Sequence, residues 1–250
     1  MRLAGLVEYD GAGFAGWAAQ PGQRTVEGTL SEALATVLRQ PVKLEVAGRT
    51  DAGVHASGQV VSFSADTDLP PGTIAYKATA VMPGDLALRR CVEVQDSFDA
   101  RKCAISRSYE YRILNSSIRS PLARERTVYI ARGLDEAALD EAAAIIRGTH
   151  DFRAFTPSRT YHSYFTREVS ESRWEREGEQ LVYRVTSDSF LYGMVRTLVG
   201  TMIEIADGRR TLDNLARLLD VEGARRSAAG YSAPARGLTL VGVGYEGLQP

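Results

Sequence analysis

The segment Ala47-Gly48-Arg49-Thr50-Asp51-Ala52-Gly53-Val54-His55 holds a single acid in a glycine-flanked turn, with a cation two residues before it. An apolar, β-prone run from Val42 to Val46 leads in, and another from Gln59 to Phe63 leads out. A carboxylate at a strand end, on a glycine turn, faces solvent and lets a ligand come close. Such a group can act as a nucleophile or accept a proton. Asp-Ala-Gly also makes an ordinary Asx turn. No second acid clusters near Asp51 and no phosphate-loop pattern is present, which argues against a loop that holds a metal or a nucleotide phosphate.

Other residues of reactive type are scattered along the chain. Tyr109 lies in Arg107-Ser108-Tyr109-Glu110-Tyr111, where Tyr109, Tyr111 and Ile113 alternate onto one strand face. A tyrosine there is a core residue with a bonded hydroxyl or a ring offered to a ligand. Arg196 stands among Leu191, Met194, Val195, Leu198 and Val199. It either snorkels to water or, if partly buried, demands an acid; Asp51 is the economical candidate. His55 reads as packing rather than catalytic. Trp17 is a base-stacking surface or a core residue, with core preferred.

Composition narrows the class. The chain has 250 residues, 44% hydrophobic and 24% charged, enough for one large domain or two smaller ones. No apolar run approaches the ~18 residues of a membrane span. The first ten residues reach Glu8 and Asp10 too early for a signal peptide. Two cysteines, Cys91 and Cys103, form no disulfide framework, and three histidines, His55, His150 and His162, do not suggest a structural zinc site. The expected compartment is the reducing cytoplasm. The net charge of -1 does not advertise a polyanion partner. Its distribution does, because arginines crowd between Arg101 and Arg126 against only Glu110 and Glu125. A locally basic face binds phosphate even on a neutral chain.

The elements that must position these residues follow from periodicity and breakers. Strands are expected at Leu3–Tyr9, Val42–Val46, Gln59–Phe63, Leu86–Val94, Ser106–Leu114, Tyr164–Trp174, Leu181–Thr186 and Leu238–Tyr245. Helices are expected from N-cap Thr25 to Arg39, at Ile74–Val81, Leu134–Ile146, Phe190–Ile205 and Leu212–Leu219. Pro70-Pro71-Gly72 reads as loop. Hairpins segregated from helices favour α+β with mainly antiparallel sheet. A first half, residues 1–99, carries the Asp51 loop; a second, residues 100–250, carries the tyrosine strand and the arginine helix. No internal sequence repeat is convincing.

Gly48-Arg49-Thr50-Asp51-Ala52-Gly53-Val54-His55 resembles the active-site signature of the tRNA pseudouridine synthase A family. Gly13-Phe14-Ala15-Gly16-Trp17 resembles its aromatic-glycine loop. Four more segments match in order: Phe98-Asp99-Ala100-Arg101, Arg107-Ser108-Tyr109-Glu110-Tyr111, Phe190 to Arg196 with its terminal Met-Val-Arg, and Ala233-Pro234-Ala235-Arg236-Gly237-Leu238. The resemblance implies two ferredoxin-like, RRM-like halves whose sheets join across a central active-site cleft. It implies isomerisation of uridine to pseudouridine at positions 38, 39 and 40 of the tRNA anticodon stem-loop, by a homodimer and without cofactor or metal. Asp51 would be the nucleophile, acting on sugar C1′, on C2′ or on the base. Tyr109 would stack on the flipped base and help remove the C5 proton, and Arg196 would pair with Asp51. Arg49, Arg101 and Arg107 would contact the RNA. Thr79, Asp99 and Gly193 depart from the family pattern and bear on substrate contacts rather than on the acid. Two readings compete: an RRM-like binding module without catalysis, and a pseudouridine synthase with another RNA target.

Overall fold

The computed structural model describes residues 1–160, 163–220 and 224–247; His162 lies outside them. By contact the chain divides into two compact units, Met1–Arg107 with Thr239–Pro250, and Ser108–Leu238. The final strand thus clusters with the first unit, whereas the sequence reading keeps it with the second half.

The first unit runs β1 (Arg2–Tyr9), α1 (Val26–Leu38), β2 (Glu45–Val46), β3 (His55–Ser64), α2 (Pro71–Val81) and β4 (Leu86–Val94). This β-α-β-β-α-β run is ferredoxin-like. Its strand order is β4-β1-β3, with β2 also on β3. β1 is antiparallel to both β3 and β4, with Leu3 opposite Phe63 and Glu93. Alternation along β1 turns Leu3 and Val7 inward, and α1 adds Leu30 and Leu34; all four are fully buried. Each such side chain contributes roughly 1.5–3 kcal/mol.

Local chemistry explains the boundaries. The Thr25 hydroxyl accepts the Gly28 N–H and starts α1. The helix stops one residue earlier than expected, because Arg39 turns left-handed with φ 55°. The residue before Pro41 is in any case biased out of helical conformation. Pro71 and Gly72, read as loop, begin α2, where a proline at the first turn loses no hydrogen bond. The expected strand Val42–Val46 contracts to Glu45–Val46. β4 spans the expected residues.

The second unit contains most of β5 (Ala104–Leu114), then β6 (Val128–Tyr129), α3 (Glu136–Ile146), β7 (Gly148–Asp151), β8 (Thr166–Glu177), β9 (Gln180–Ser187), α4 (Met194–Ala206) and α5 (Leu212–Asp220). Its order is β5-β9-β8-β7. The run β5-α3-β8-β9-α4 repeats the topology of β1-α1-β2-β3-α2, and its helix α3 is likewise capped, by Asp135 accepting from Ala138 N–H. β10 (Leu238–Tyr245) closes the chain as expected, and it pairs in parallel with the start of β3. Apart from that pairing and the short parallel contact of β5 with β6, the described ladders are antiparallel. The α+β class with mainly antiparallel sheet is therefore correct.

Candidate active site

Asp51 sits on the connection from β2 to β3, half-buried, with Ala52 exposed and Val54 and His55 buried behind it. The turn is closed by Val54 N–H donating to Asp51 O at 3.1 Å. A second loop lies against it. Trp17 N–H donates to Thr50 O at 3.0 Å, and Gly53 N–H to Phe14 O at 3.4 Å. Gly16 takes φ +96°, and a β-carbon there would lie 3.0 Å from Thr50 O and 3.1 Å from Ala52 N. The aromatic-glycine loop is thus backbone packing for the acid.

Three polar contacts brace the turn from below. The Tyr9 and Thr50 hydroxyls are 2.7 Å apart, Gln59 Nε2 donates to Gly48 O at 2.6 Å, and Gly11 N–H donates to His55 Nδ1 at 3.0 Å. Burial pushes the Tyr9 hydroxyl up to about 12, so it stays protonated and available as a donor. His55 is buried, and its Nδ1 lies between the Gly11 N–H and an Asp10 carboxylate oxygen at 3.1 Å, so the ring is fixed within the fold. Trp17, 1% exposed, is core and not a stacking surface.

Arg49 and Arg101 are both exposed. Arg107 is not. It is 9% exposed, and its guanidinium donates to the carbonyls of Ala47, Ala104 and Arg101. The guanidinium is thus bound to backbone rather than turned to solvent.

In the second unit the tyrosine strand, the arginine helix and the Ala-Pro element converge. Tyr109, on β5, is buried, with Phe190 edge-on at 5.1 Å. Arg196 is partly buried on the first turn of α4; its Nε donates to Ala233 O at 2.7 Å, and Ala233 N–H returns to Arg196 O at 2.9 Å. Tyr111 donates its hydroxyl to Pro234 O at 2.9 Å, and a β-carbon at Gly237 would lie 2.7 Å from the Tyr111 ring. Burial drives the Tyr111 hydroxyl pKa upward, which keeps that donor neutral.

The three departures have structural work. Gly193 caps α4 at φ +68°, so the helix starts at Met194 rather than Phe190; a β-carbon there would make only an ordinary contact with Pro157 Cδ at 3.9 Å, so it is the backbone conformation that favours glycine. Thr79 Oγ1 donates to Leu88 O and accepts Leu88 N–H, tying α2 to β4. Burial raises the Asp99 carboxyl, but the N–H groups of Lys102 and Arg101 outweigh it and hold the group below its ordinary value. Sequence reasoning missed Thr50 and Gln59 as supports, because one hydroxyl and one amide carry no local motif.

The family described as tRNA pseudouridine synthase matches this chain over residues 6–101 and 142–246. Those stretches include Asp51 and Arg196; Tyr109 falls between them. A tRNA pseudouridine synthase A from Gloeobacter violaceus is 42% identical over 98% of the chain and 80% of its own length. Another, from Acetivibrio thermocellus, is 36% identical over 96% and 98%, and one from Geotalea uraniireducens is 39% identical over the same shares. With the Asp51 turn, the Tyr109 strand and the Arg196 helix laid out in that order, the chain belongs to the tRNA pseudouridine synthase family.

Proposed function

We propose that this chain isomerises uridine to pseudouridine at positions 38, 39 and 40 of the tRNA anticodon stem-loop. The observation that carries the reading is the presentation of Asp51, an acid on a turn whose backbone is pinned by Gly16, Thr50 and Val54. The reaction breaks the N1–C1′ bond, turns the uracil and joins C5 to C1′. The C5 proton leaves and N1, freed from C1′, gains one, so no redox partner is needed. Asp51 supplies the nucleophile. Tyr109 stacks on the flipped base and assists loss of the C5 proton. Arg196 favours the ionised acid as its ion partner. Extruding the base costs a few kcal/mol, which pocket contacts offset. Arg49 and Arg101, both exposed, take RNA phosphates. The substrate puts the reaction in the cytoplasm, and a homodimer sharing one tRNA belongs to the same proposal.

The test uses unmodified tRNA transcript labelled with tritium at uridine C5. Wild-type protein should release tritium to water. Asp51→Ala should release less than about 1% of that rate while binding tRNA within roughly tenfold, since phosphate contacts supply most of the affinity. Arg196→Ala should also slow release; a wild-type rate there removes the pairing. Binding without release by wild type would favour an RNA-binding module or another RNA target.

A further inference from the structure

The basic-x-Tyr-x-Tyr element looks like an RNA contact, and its first residue is an arginine. The structure puts that arginine to another use. Among its contacts, Arg107 makes hydrogen bonds that end on three backbone carbonyls: Nε and Nη2 on Ala47 O at 3.2 and 2.8 Å, Nη1 on Ala104 O at 3.1 Å, and Nη2 on Arg101 O at 2.9 Å. The three carbonyls come from three different places. Ala47 is the last buried residue before Gly48 and Arg49, at the root of the Asp51 turn. Arg101 ends the Phe-x-Ala-Arg element and carries an exposed guanidinium. Ala104 opens β5.

The neighbourhood is otherwise apolar and tightly held. Ala47, Val60, Ala100 and Tyr245 pack together, with Phe98 and Ala104 against them. Ala100 N–H donates to Ser62 Oγ at 3.0 Å, and the Tyr245 hydroxyl donates to Ala100 O at 2.7 Å. The Ala47 N–H donates to Val60 O at 2.9 Å. The Ala47 carbonyl, by contrast, points to the guanidinium and receives two of its N–H groups. A rigid planar fork is suited to gathering carbonyls that no regular ladder satisfies.

We propose that Arg107 is a positioning residue. It fixes the roots of the Asp51 turn and of the Arg101 turn at once, and so sets where the acid and one RNA-binding guanidinium stand. It does not itself touch RNA. The inference builds on the proposed function only for what Asp51 and Arg101 do; the clamp itself is independent of it. A one-ångström displacement of a reacting group can cost about a hundredfold in rate. Losing the fork should therefore appear in the chemical step.

Three variants and three measurements, of rate, of tRNA binding and of amide exchange, decide the matter. Arg107→Met and Arg107→Gln remove the clamp, and Arg107→Lys retains a cation with fewer, unforked donors. In single-turnover tritium release, Met and Gln should lower the maximal rate about 10- to 100-fold. The tRNA Kd should stay within about threefold, and the slope of log K against log salt should be unchanged. Lys should recover only part of the rate. In the protein without RNA, amide hydrogen exchange across Gly48–Val54 should quicken at least tenfold in all three variants, least in Lys. If Met or Gln fails to fold, the Lys exchange and rate still decide. A variant with the wild-type maximal rate, a Kd at least tenfold weaker and a salt slope shallower by about one would make Arg107 a phosphate contact and overturn the clamp. Unchanged exchange at Gly48–Val54 would overturn it as well. Failure of wild-type protein to release tritium would instead remove the proposed function, and the exchange result would still stand on its own.

Discussion

At the scale of single residues, the acid depends on a glycine that does no chemistry. Gly16 adopts φ +96°, and a methyl there would meet Thr50 O at 3.0 Å, Ala52 N at 3.1 Å and the Asp51 carbonyl carbon at 3.3 Å. The first fact makes any side chain strained, and the second leaves no slack in backbone atoms that cannot rotate away. Gly16→Ala should therefore lower stability by roughly 1–3 kcal/mol, measured by urea unfolding. It should also slow tritium release about tenfold or more with tRNA affinity kept. Gly48 is the control. Nothing lies within 4 Å of a β-carbon there, so Gly48→Ala should change stability by no more than about 0.5 kcal/mol. Equal destabilisation by the two substitutions would show that the close packing at Gly16 is not what holds the turn.

At the scale of elements, the aromatic-glycine loop is fastened by an ion pair. Both Arg24 terminal nitrogens donate to Asp85, at 2.8 and 2.6 Å, and the guanidinium lies 4.1 Å from the Phe14 ring centre. The same hydrogen bonds hold the Asp85 carboxyl below its ordinary value and outweigh burial, which raises it. A carboxyl depressed in the folded state stabilises at pH above its unfolded pKa, and that stability is lost as pH falls through the folded pKa. Because both partners are partly exposed, Asp85→Asn should cost only about 0.5–1 kcal/mol at pH 7. The cost should be constant down to about pH 5 and shrink below about pH 4. A pH-independent difference would assign the effect to packing rather than charge. This pair joins residues 61 positions apart, which explains why it had no signature in the sequence. Signals that lie within one turn were legible: the Thr25 cap and β4 both stand where periodicity and capping chemistry put them. Strands of two to four residues, β6 and β7, carry too little alternation to read. The Arg107 fork was legible as a cation but not as a buried one, since burial is set by Ala47 and Arg101 from elsewhere in the chain.

At the scale of the whole molecule, the net charge of -1 conceals how the charges are used. On the β8–β9 hairpin and β5, Arg112, Arg173 and Arg184 pair with Glu110, Glu171, Glu175 and Glu177. These cations are neutralised within the second unit and add little to an external field. Two repeats of one topology, β1-α1-β2-β3-α2 and β5-α3-β8-β9-α4, carry the charges differently, and their common plan lies in strand order rather than in residues. Electrostatic binding should follow the unneutralised arginines, not the total. For tRNA the slope of log K against log salt reports the phosphates displaced from counterions, at about 0.7–0.9 per contact. Arg49→Gln and Arg101→Gln should each make the slope shallower by about that amount and weaken binding evenly across tRNAs. Arg112→Gln removes the same formal charge from a side chain bonded to Glu110 and Glu177, and it should leave the slope where it was. If Arg112→Gln flattens the slope as much as Arg49→Gln, binding responds to overall charge and the assignment of Arg49 and Arg101 to the RNA fails.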